Sequence, residues 1–436
     1  MNATTLSIGD ELALGQIDDT NARWITERLA AEGAFRVEHR TVPDDRKRIV
    51  QAIRDLAELS ELLVITGGLG PTLDDLTRDA LNDCCAGGAA MVEDSLARET
   101  LDRWFRGRGR AMPPSNLVQA QRPVNARCLD NPHGTAPGLS ADLERTKVFC
   151  LPGPPREMRP MFEANVVPFL RERCGDVVMP TLSVHSYGMG ESVLAERLGE
   201  RMSRDADPMV GTNASNAIVT ARIRTSGPRL EAMARIEAMA SEVERLWRPY
   251  AFGRDGTTLA MATIADLKAR QESVAVAESC TGGLIGALLT DVAGASDVVL
   301  GGYIVYSNDM KVRAVGVDRS ILAAHGAVSE PVARQLAAGA RERTRATWGI
   351  GVTGIAGPSG GTPTKPVGTV FIGIAGPMGE RVRRFRFPGE REVVRDRTAK
   401  AAMQWLRLAM MGEPDTDLIW AHAEAPAAER ENRDHA

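Results

Sequence analysis

The chain has 436 residues, 43% of them hydrophobic and 25% charged, with a formal net charge of −4; this exceeds one ordinary core and reads as roughly two to three globular domains. That balance gives no global attraction to nucleic acid, no apolar run is long enough to span a bilayer, and Met1-Asn2-Ala3-Thr4-Thr5 lacks the basic and apolar regions of a secretory signal. A cytoplasmic protein without nucleic-acid or membrane partners is expected, with Cys84, Cys85, Cys128, Cys150, Cys174 and Cys280 reduced, because they form no Cys-x-x-Cys and no histidine is spaced to complete a zinc site.

Thr4 to Ile8 alternates as a short strand, Gly9 to Gly15 is a glycine-bounded loop, and Asp19-Thr20-Asn21 caps an amphipathic helix from Ala22 to Glu32. A strand over Arg36 to Val42, a helix over Asp45 to Leu59 and the buried strand Leu62 to Thr66 continue an α/β pattern. Gly67-Gly68-Leu69-Gly70-Pro71-Thr72-Leu73-Asp74-Asp75 then turns into a helix. In a doubly wound sheet such a loop lies at the edge where phosphate-bearing ligands bind, although it is neither a Walker loop nor Gly-x-Gly-x-x-Gly. Asp74 and Asp75 either hold a divalent cation or complement the helix dipole. Arg103 to Arg110 reads as a solvated helix end. The irregular stretches Arg110 to Asn116 and Asn131 to Gly138 read as lids or as plain surface loops. A third loop, Pro152-Gly153-Pro154-Pro155, follows a strand over Lys147 to Leu151.

Beyond Arg171 to Pro180 the pattern changes to a small α+β unit: strand Thr181 to Tyr187, helix Ser192 to Arg201, strand Ile218 to Arg224 and helix Leu230 to Trp247. The last domain alternates again, from a helix at Leu259 to Arg270 through strands at Ser273 to Ala277, Val298 to Tyr306 and Gly349 to Thr353. It ends in a hairpin of Val367 to Ile374 with Arg381 to Phe387 and a helix at Glu392 to Met410, which makes an α/β sandwich. Residues 412–436 carry little apolar content and read as a disordered tail.

Three groups in this domain fall on strand ends: Ser279-Cys280-Thr281-Gly282-Gly283, Tyr306-Ser307-Asn308 with Lys311, and Thr353-Gly354-Ile355-Ala356-Gly357-Pro358. A lysine desolvated beside a hydroxyl deprotonates it, so Lys311 is the candidate base for Ser279, and Tyr306 a group that orients the proton. The amides of Thr281, Gly282 and Gly283, at the start of a helix, would cradle an oxyanion. Cys280 is the rival nucleophile, since a thiol at a helix N-terminus is activated. A plain strand-to-helix turn capped by Ser279 is the structural alternative.

These residues, with His325-Gly326-Ala327-Val328-Ser329 and Pro366-Val367-Gly368-Thr369-Val370, resemble the CinA C-terminal domain. Gly67 to Thr77 and Leu151 to Pro155 resemble the same family's N-terminal domain, which is similar to molybdopterin-binding proteins. The resemblance implies an α/β protein with a doubly wound molybdopterin-binding-like domain over residues 1–172, a small α+β domain over 173–255 and an amidase domain over 256–411. It implies hydrolysis of nicotinamide mononucleotide to nicotinate mononucleotide and ammonia by Ser279, Lys311 and Tyr306, with no cofactor. Asn308, the loop of Thr353, Gly354 and Gly357, and Arg395 would bind the substrate, unless Arg395 makes only a surface salt bridge. It further implies an ADP-ribose pyrophosphatase in the first domain, using Glu11, Asn21, Gly67, Gly68, Gly70, Thr72, Pro152 and Gly153, with Mg or Co on Asp74 and Asp75. Asp10 departs from the threonine of many relatives, and its carboxylate would repel a pyrophosphate unless metal-bound. A homodimer is expected. A pterin- or nucleotide-binding protein without turnover is the competing class.

Overall fold

The computed structural model describes residues 1–422. They divide into two compact units, Met1–Thr181 with Arg224–Glu237, and Leu182–Ile223 with the chain from Ala238 onward. The stretch 173–255, read from sequence as one small domain, is thus shared between them.

The first unit is built on a six-stranded sheet in the spatial order Phe35–Val42, Asn2–Ile8, Leu62–Thr66, Thr146–Leu151, Gly138–Leu143 and Ala126–Leu129. The first four strands are parallel neighbours and the last two add on antiparallel. Leu62–Thr66 is buried on both faces. Leu63 and Ile65 pack with Ile49, Ile53 and Leu56 of the helix Arg46–Leu59, while Leu62 and Val64 pack with Ile25, Leu29 and Phe162 on the other side. That two-sided covering is why the strand sequence is apolar throughout rather than alternating. The segment Asn131 to Gly138 proves to be the connection of the antiparallel pair, and Arg103 to Arg106 ends a helix, Ser95–Arg106. Glu32, nearly buried, anchors Arg28, Arg171 and Arg229 within this unit.

The second unit carries a four-stranded sheet, ordered Met209–Ser215, Ile218–Arg224, Thr181–Tyr187, Ala251–Arg254, and a five-stranded sheet, ordered Val299–Ile304, Val274–Glu278, Trp348–Gly354, Thr369–Gly376, Gly379–Arg386. In the latter the first three strands are parallel and the last two form the expected hairpin. The helix Glu330–Thr344 lies so close to one face that a Cβ on Gly349 would stand 2.1 Å from the Ala337 carbonyl oxygen. The helices Leu259–Arg270 and Arg391–Met410 bury their apolar residues on the other face.

One expectation is overturned here. Residues 412–422 are packed rather than tail-like: Leu418 is buried, Trp405 donates to the Pro414 carbonyl at 2.9 Å, Ile419 N–H donates to Gly188 O at 2.7 Å, and Ala421 pairs with Phe385. Leu418-Ile419-Trp420 is a short apolar cluster inside a polar stretch, and an average over the stretch dilutes it. Residues 423–436 of the expected tail lie outside the described residues. Among the described residues no helix is long and apolar enough to cross a membrane.

Candidate active sites

In the second unit the buried strand Val274–Glu278 delivers Ser279, whose N–H donates to Val352 O at 3.1 Å. The chain then reverses through Gly282 (φ 62°) and Gly283 (φ 94°), a left-handed pair that favours glycine, into the helix Leu284–Thr290. The parallel neighbour Val299–Ile304 leads into Tyr306 and the helix Asn308–Val315, capped by Ser307, which carries Lys311.

Lys311 Nζ lies 3.1 Å from Ser279 Oγ, 2.9 Å from Val305 O and 3.1 Å from Tyr306 O. The side chain is 1% exposed, and burial lowers its pKa below the usual lysine range. Among the described residues no carboxylate pairs with it. A neutral amine has two N–H groups for the two carbonyls and a lone pair for the serine proton, so this setting fits a base better than a stored cation. Burial pushes the Cys280 thiol up to about 12, which makes it an unreactive neutral group at ordinary pH.

The helix N-terminus is not open in the way the sequence suggests. The Glu278 carboxylate, 1% exposed, accepts hydrogen bonds from the amides of Gly283 (3.1 Å), Ile285 (3.1 Å) and Gly286 (2.8 Å), and the Gly282 amide donates to Ser279 O at 3.1 Å. The Gly282 and Gly283 amides expected to hold an oxyanion are therefore occupied. Among the described residues the Cys280 and Thr281 amides meet no acceptor other than the Cys280 sulfur, and the buried Thr281 Oγ1 has no partner.

The other predicted residues sit around this corner in different ways. Arg395, on the helix Arg391–Met410, directs Nε and Nη2 at Thr281 O, 3.2 and 2.7 Å away. Tyr306 is exposed and bonded to Arg391 at 3.2 Å; Arg391 also donates to Gly357 O at 2.9 Å. Arg391 is absent from the residues expected at this site, and its spacing one turn before Arg395 on the same helix is the signal in the sequence that points to it. Asn308 is exposed in the first turn of its helix. Thr353 is turned away, donating to Ala327 O at 2.7 Å, while Gly354 lies against Val370 and Gly357 against Val367, with no room for a side chain.

In the first unit a cleft of about 570 Å³ is lined by Glu11, Asn21, Gly67, Gly68, Gly70, Asp74, Asp75, Pro152 and Gly153. Thr72 is not in its lining. Asp75 folds back on its own loop, accepting from the amides of Gly70 (2.7 Å) and Thr72 (2.8 Å) and from the Thr72 hydroxyl, so it is a turn-former. Asp74 stands at the rim, its pKa lowered by a hydrogen bond from Thr72. Among the described residues no three His, Cys, Asp or Glu side chains are grouped to hold a metal ion. The pair expected to bind a cation thus does not fit that role, because one member is engaged inside its loop. Asp10 is likewise turned aside, bonded to the Asp44 amide at 3.1 Å and absent from the lining. Asn21 donates to Gly153 O at 2.7 Å, and its buried Oδ1 has no partner. Gln119, buried in the lining with an unpartnered Nε2, had no signal in the sequence.

Comparison with known proteins gives three family matches: the probable molybdopterin binding domain over residues 4–172, the damage-inducible protein CinA KH domain over 182–253 and the CinA C-terminal domain over 256–410. A putative competence-damage inducible protein of Symbiobacterium thermophilum is 39% identical over 428 residues, covering 95% of this chain and 100% of that one. A CinA-like protein of an Anaeromyxobacter species is 40% identical over 412 residues, covering 94% and 99%. Among solved structures, the competence/damage inducible protein CihA of Agrobacterium tumefaciens is 40% identical, covering 35% of this chain and 93% of that one with a TM-score of 0.34.

Proposed function

Since the chain belongs to the CinA family and matches its relatives along nearly its whole length, we propose that the second unit is an amidohydrolase converting nicotinamide mononucleotide to nicotinate mononucleotide and ammonia. The observation that carries this reading is the buried Lys311 Nζ 3.1 Å from Ser279 Oγ. Lys311 takes the hydroxyl proton as Oγ attacks the carboxamide carbon, and the amides of Cys280 and Thr281 receive the oxyanion. Lys311 then returns the proton to the departing nitrogen, ammonia leaves, and water, deprotonated by the same amine, opens the serine ester to the carboxylate and free Ser279.

For the first unit the reading is hydrolysis of the pyrophosphate bond of ADP-ribose in the cleft of Gly67, Gly68 and Gly153. A divalent cation would supply charge neutralisation for the phosphates. Of the predicted pair the chain offers it Asp74 alone, and among the described residues no three carboxylates are grouped around it, so such a cation would arrive with the substrate and keep most of its waters. The test is a product assay of the purified chain on both substrates, with and without chelator. Ammonia release from nicotinamide mononucleotide is expected to vanish in Ser279→Ala and Lys311→Ala and to persist in Cys280→Ala. The reverse pattern would make the thiol the nucleophile, and tight binding of both nucleotides without product would favour a binding protein.

A further inference from the structure

We infer that Arg395 acts on the amidase reaction through the backbone, polarising the Cys280 amide, rather than by gripping the substrate's phosphate; the inference rests on the amidase reading of this site. Two of its guanidinium nitrogens, at 3.2 and 2.7 Å, converge on one acceptor, the Thr281 carbonyl oxygen. No carboxylate pairs with Arg395 among the described residues, so the Thr281 peptide receives its field directly.

That peptide is the first of two in series. Its N–H belongs to Gly282 and donates to Ser279 O at 3.1 Å. The peptide beginning at the Ser279 carbonyl has the Cys280 N–H at its other end, and among the described residues this N–H meets no acceptor beyond its own residue's sulfur. Each peptide bond in such a chain is polarised by the hydrogen bond on its oxygen, which makes its N–H a stronger donor. A cation at the head of the chain therefore strengthens the donor at its end, the amide next to the nucleophile, where acyl-transfer enzymes hold the oxyanion.

The geometry also explains the two glycines. Gly282 and Gly283, at φ 62° and 94°, fold the chain so that the Thr281 carbonyl faces Arg395 while the Gly282 amide faces back to Ser279. A Cβ on Gly282 would stand 3.7 Å from Arg395 Nη2. Glu278 removes the competing donors by binding the Gly283, Ile285 and Gly286 amides. The oxyanion task falls to the two amides that remain.

Two measurements on the 436-residue chain decide the matter. The first compares Arg395→Lys and Arg395→Met on nicotinamide mononucleotide and on nicotinamide riboside, which has the same amide and no phosphate. A relay predicts that Arg395→Met lowers kcat on the order of tenfold for both substrates with KM unchanged, a part of the hundredfold or more that one oxyanion donor supplies. Arg395→Lys, which keeps the charge but not the fork, falls between. A rise in KM confined to the phosphorylated substrate overturns the inference and makes Arg395 a phosphate ligand. The second follows the amide resonances of chain labelled with 15N-cysteine, the Cys280 peak being identified by its loss in Cys280→Ser. In Arg395→Met that peak moves upfield and the other cysteine peaks hold; a stationary Cys280 peak also overturns the inference. Absence of ammonia release from the unmodified chain would sink the amidase reading instead, and the resonance shift would still decide whether the relay exists.

Discussion

Replacing Lys311 by methionine separates chemistry from stability. The methionine keeps the buried stem and removes the amine. Val305 O and Tyr306 O then lose the donors now at 2.9 and 3.1 Å, a cost of about 1 kcal/mol each. Removal of a desolvated amine offsets this by a similar amount, so the net change is expected within about 2 kcal/mol, and the melting midpoint within roughly 8 °C. Loss of the base, by contrast, lowers kcat by about a hundred- to ten-thousandfold. The pH profile adds a signature. Burial depresses the Lys311 pKa below 10.5, so kcat/KM rises with pH as the ammonium gives up its proton, and this limb vanishes in Lys311→Met. Folding follows the same sign: between the depressed folded pKa and 10.5 the unfolded chain holds more protons at this site, so stability rises with pH across that window and ceases to do so in the variant. Steady-state ammonia release and thermal melts across pH measure both effects. A variant that keeps more than a tenth of the activity, or the same pH limb, refutes Lys311 as the base.

Glu278→Gln retains one acceptor but sets an amide NH2 against backbone N–H groups, so a loss of about 2–4 kcal/mol is expected, read as a lower melting midpoint with slower ammonia release; unchanged melting would show that the capping bonds contribute little. Asp75→Ala frees the Gly70 and Thr72 amides and is expected to weaken ADP-ribose binding by loosening the loop, with chelator sensitivity unchanged; a selective loss of metal dependence would restore Asp75 as a ligand. In Glu32→Ala, three arginines lose a buried partner whose pKa stays low despite burial because Arg171 and Arg229 bond to it. Arg171 is mostly exposed, so water screens its pairing with Glu32, and about 2 kcal/mol of stability is expected to go. In the unmodified chain this contribution is present above the ordinary glutamate range and fades as pH falls through the lowered folded value, a dependence that urea melts below pH 5 should lose in Glu32→Ala.

Much of the fold was legible because strong periodicity and unambiguous turns coincide. Leu62–Thr66 and Leu259–Arg270 fall at the expected bounds, since one is apolar throughout and the other is capped by Thr258. The strands Ala126–Leu129 and Gly138–Leu143 escaped because each is short and the Asn-Pro-His-Gly connection between them looks like a loop whether or not its flanks pair. Within the site, spacing along the chain proposed Ser279 with Lys311, which the sheet brings within hydrogen-bond distance. It left undecided which amides remain available, because that depends on where the Glu278 side chain folds.

The two glycine turns show how the residues around a turn set its chemistry. At Glu278 the strand ends in an acid that returns to the helix and neutralises its positive end. At Thr66 no acid is present, and beneath the Gly67 to Gly70 loop lies Arg78, 2% exposed, donating to Leu69 O at 3.0 Å with no carboxylate in ion-pair contact among the described residues. A cation buried behind a loop whose Gly68 and Leu69 amides have no partner among the described residues raises the positive potential where a phosphate would sit, and burial, which lowers its own pKa, keeps that potential from being screened by water. The turn after Thr66 thus suits an anion and the turn after Glu278 a nucleophile with its base. Arg78→Met, of similar volume, is expected to weaken binding of inorganic pyrophosphate and ADP-ribose to the cleft roughly tenfold or more, while ammonia release at Ser279 is unchanged. Calorimetric titration of folded variant, its integrity checked by melting, measures this. Undiminished pyrophosphate binding would mean that the loop amides suffice and that Arg78 serves only to hold Leu69 in place.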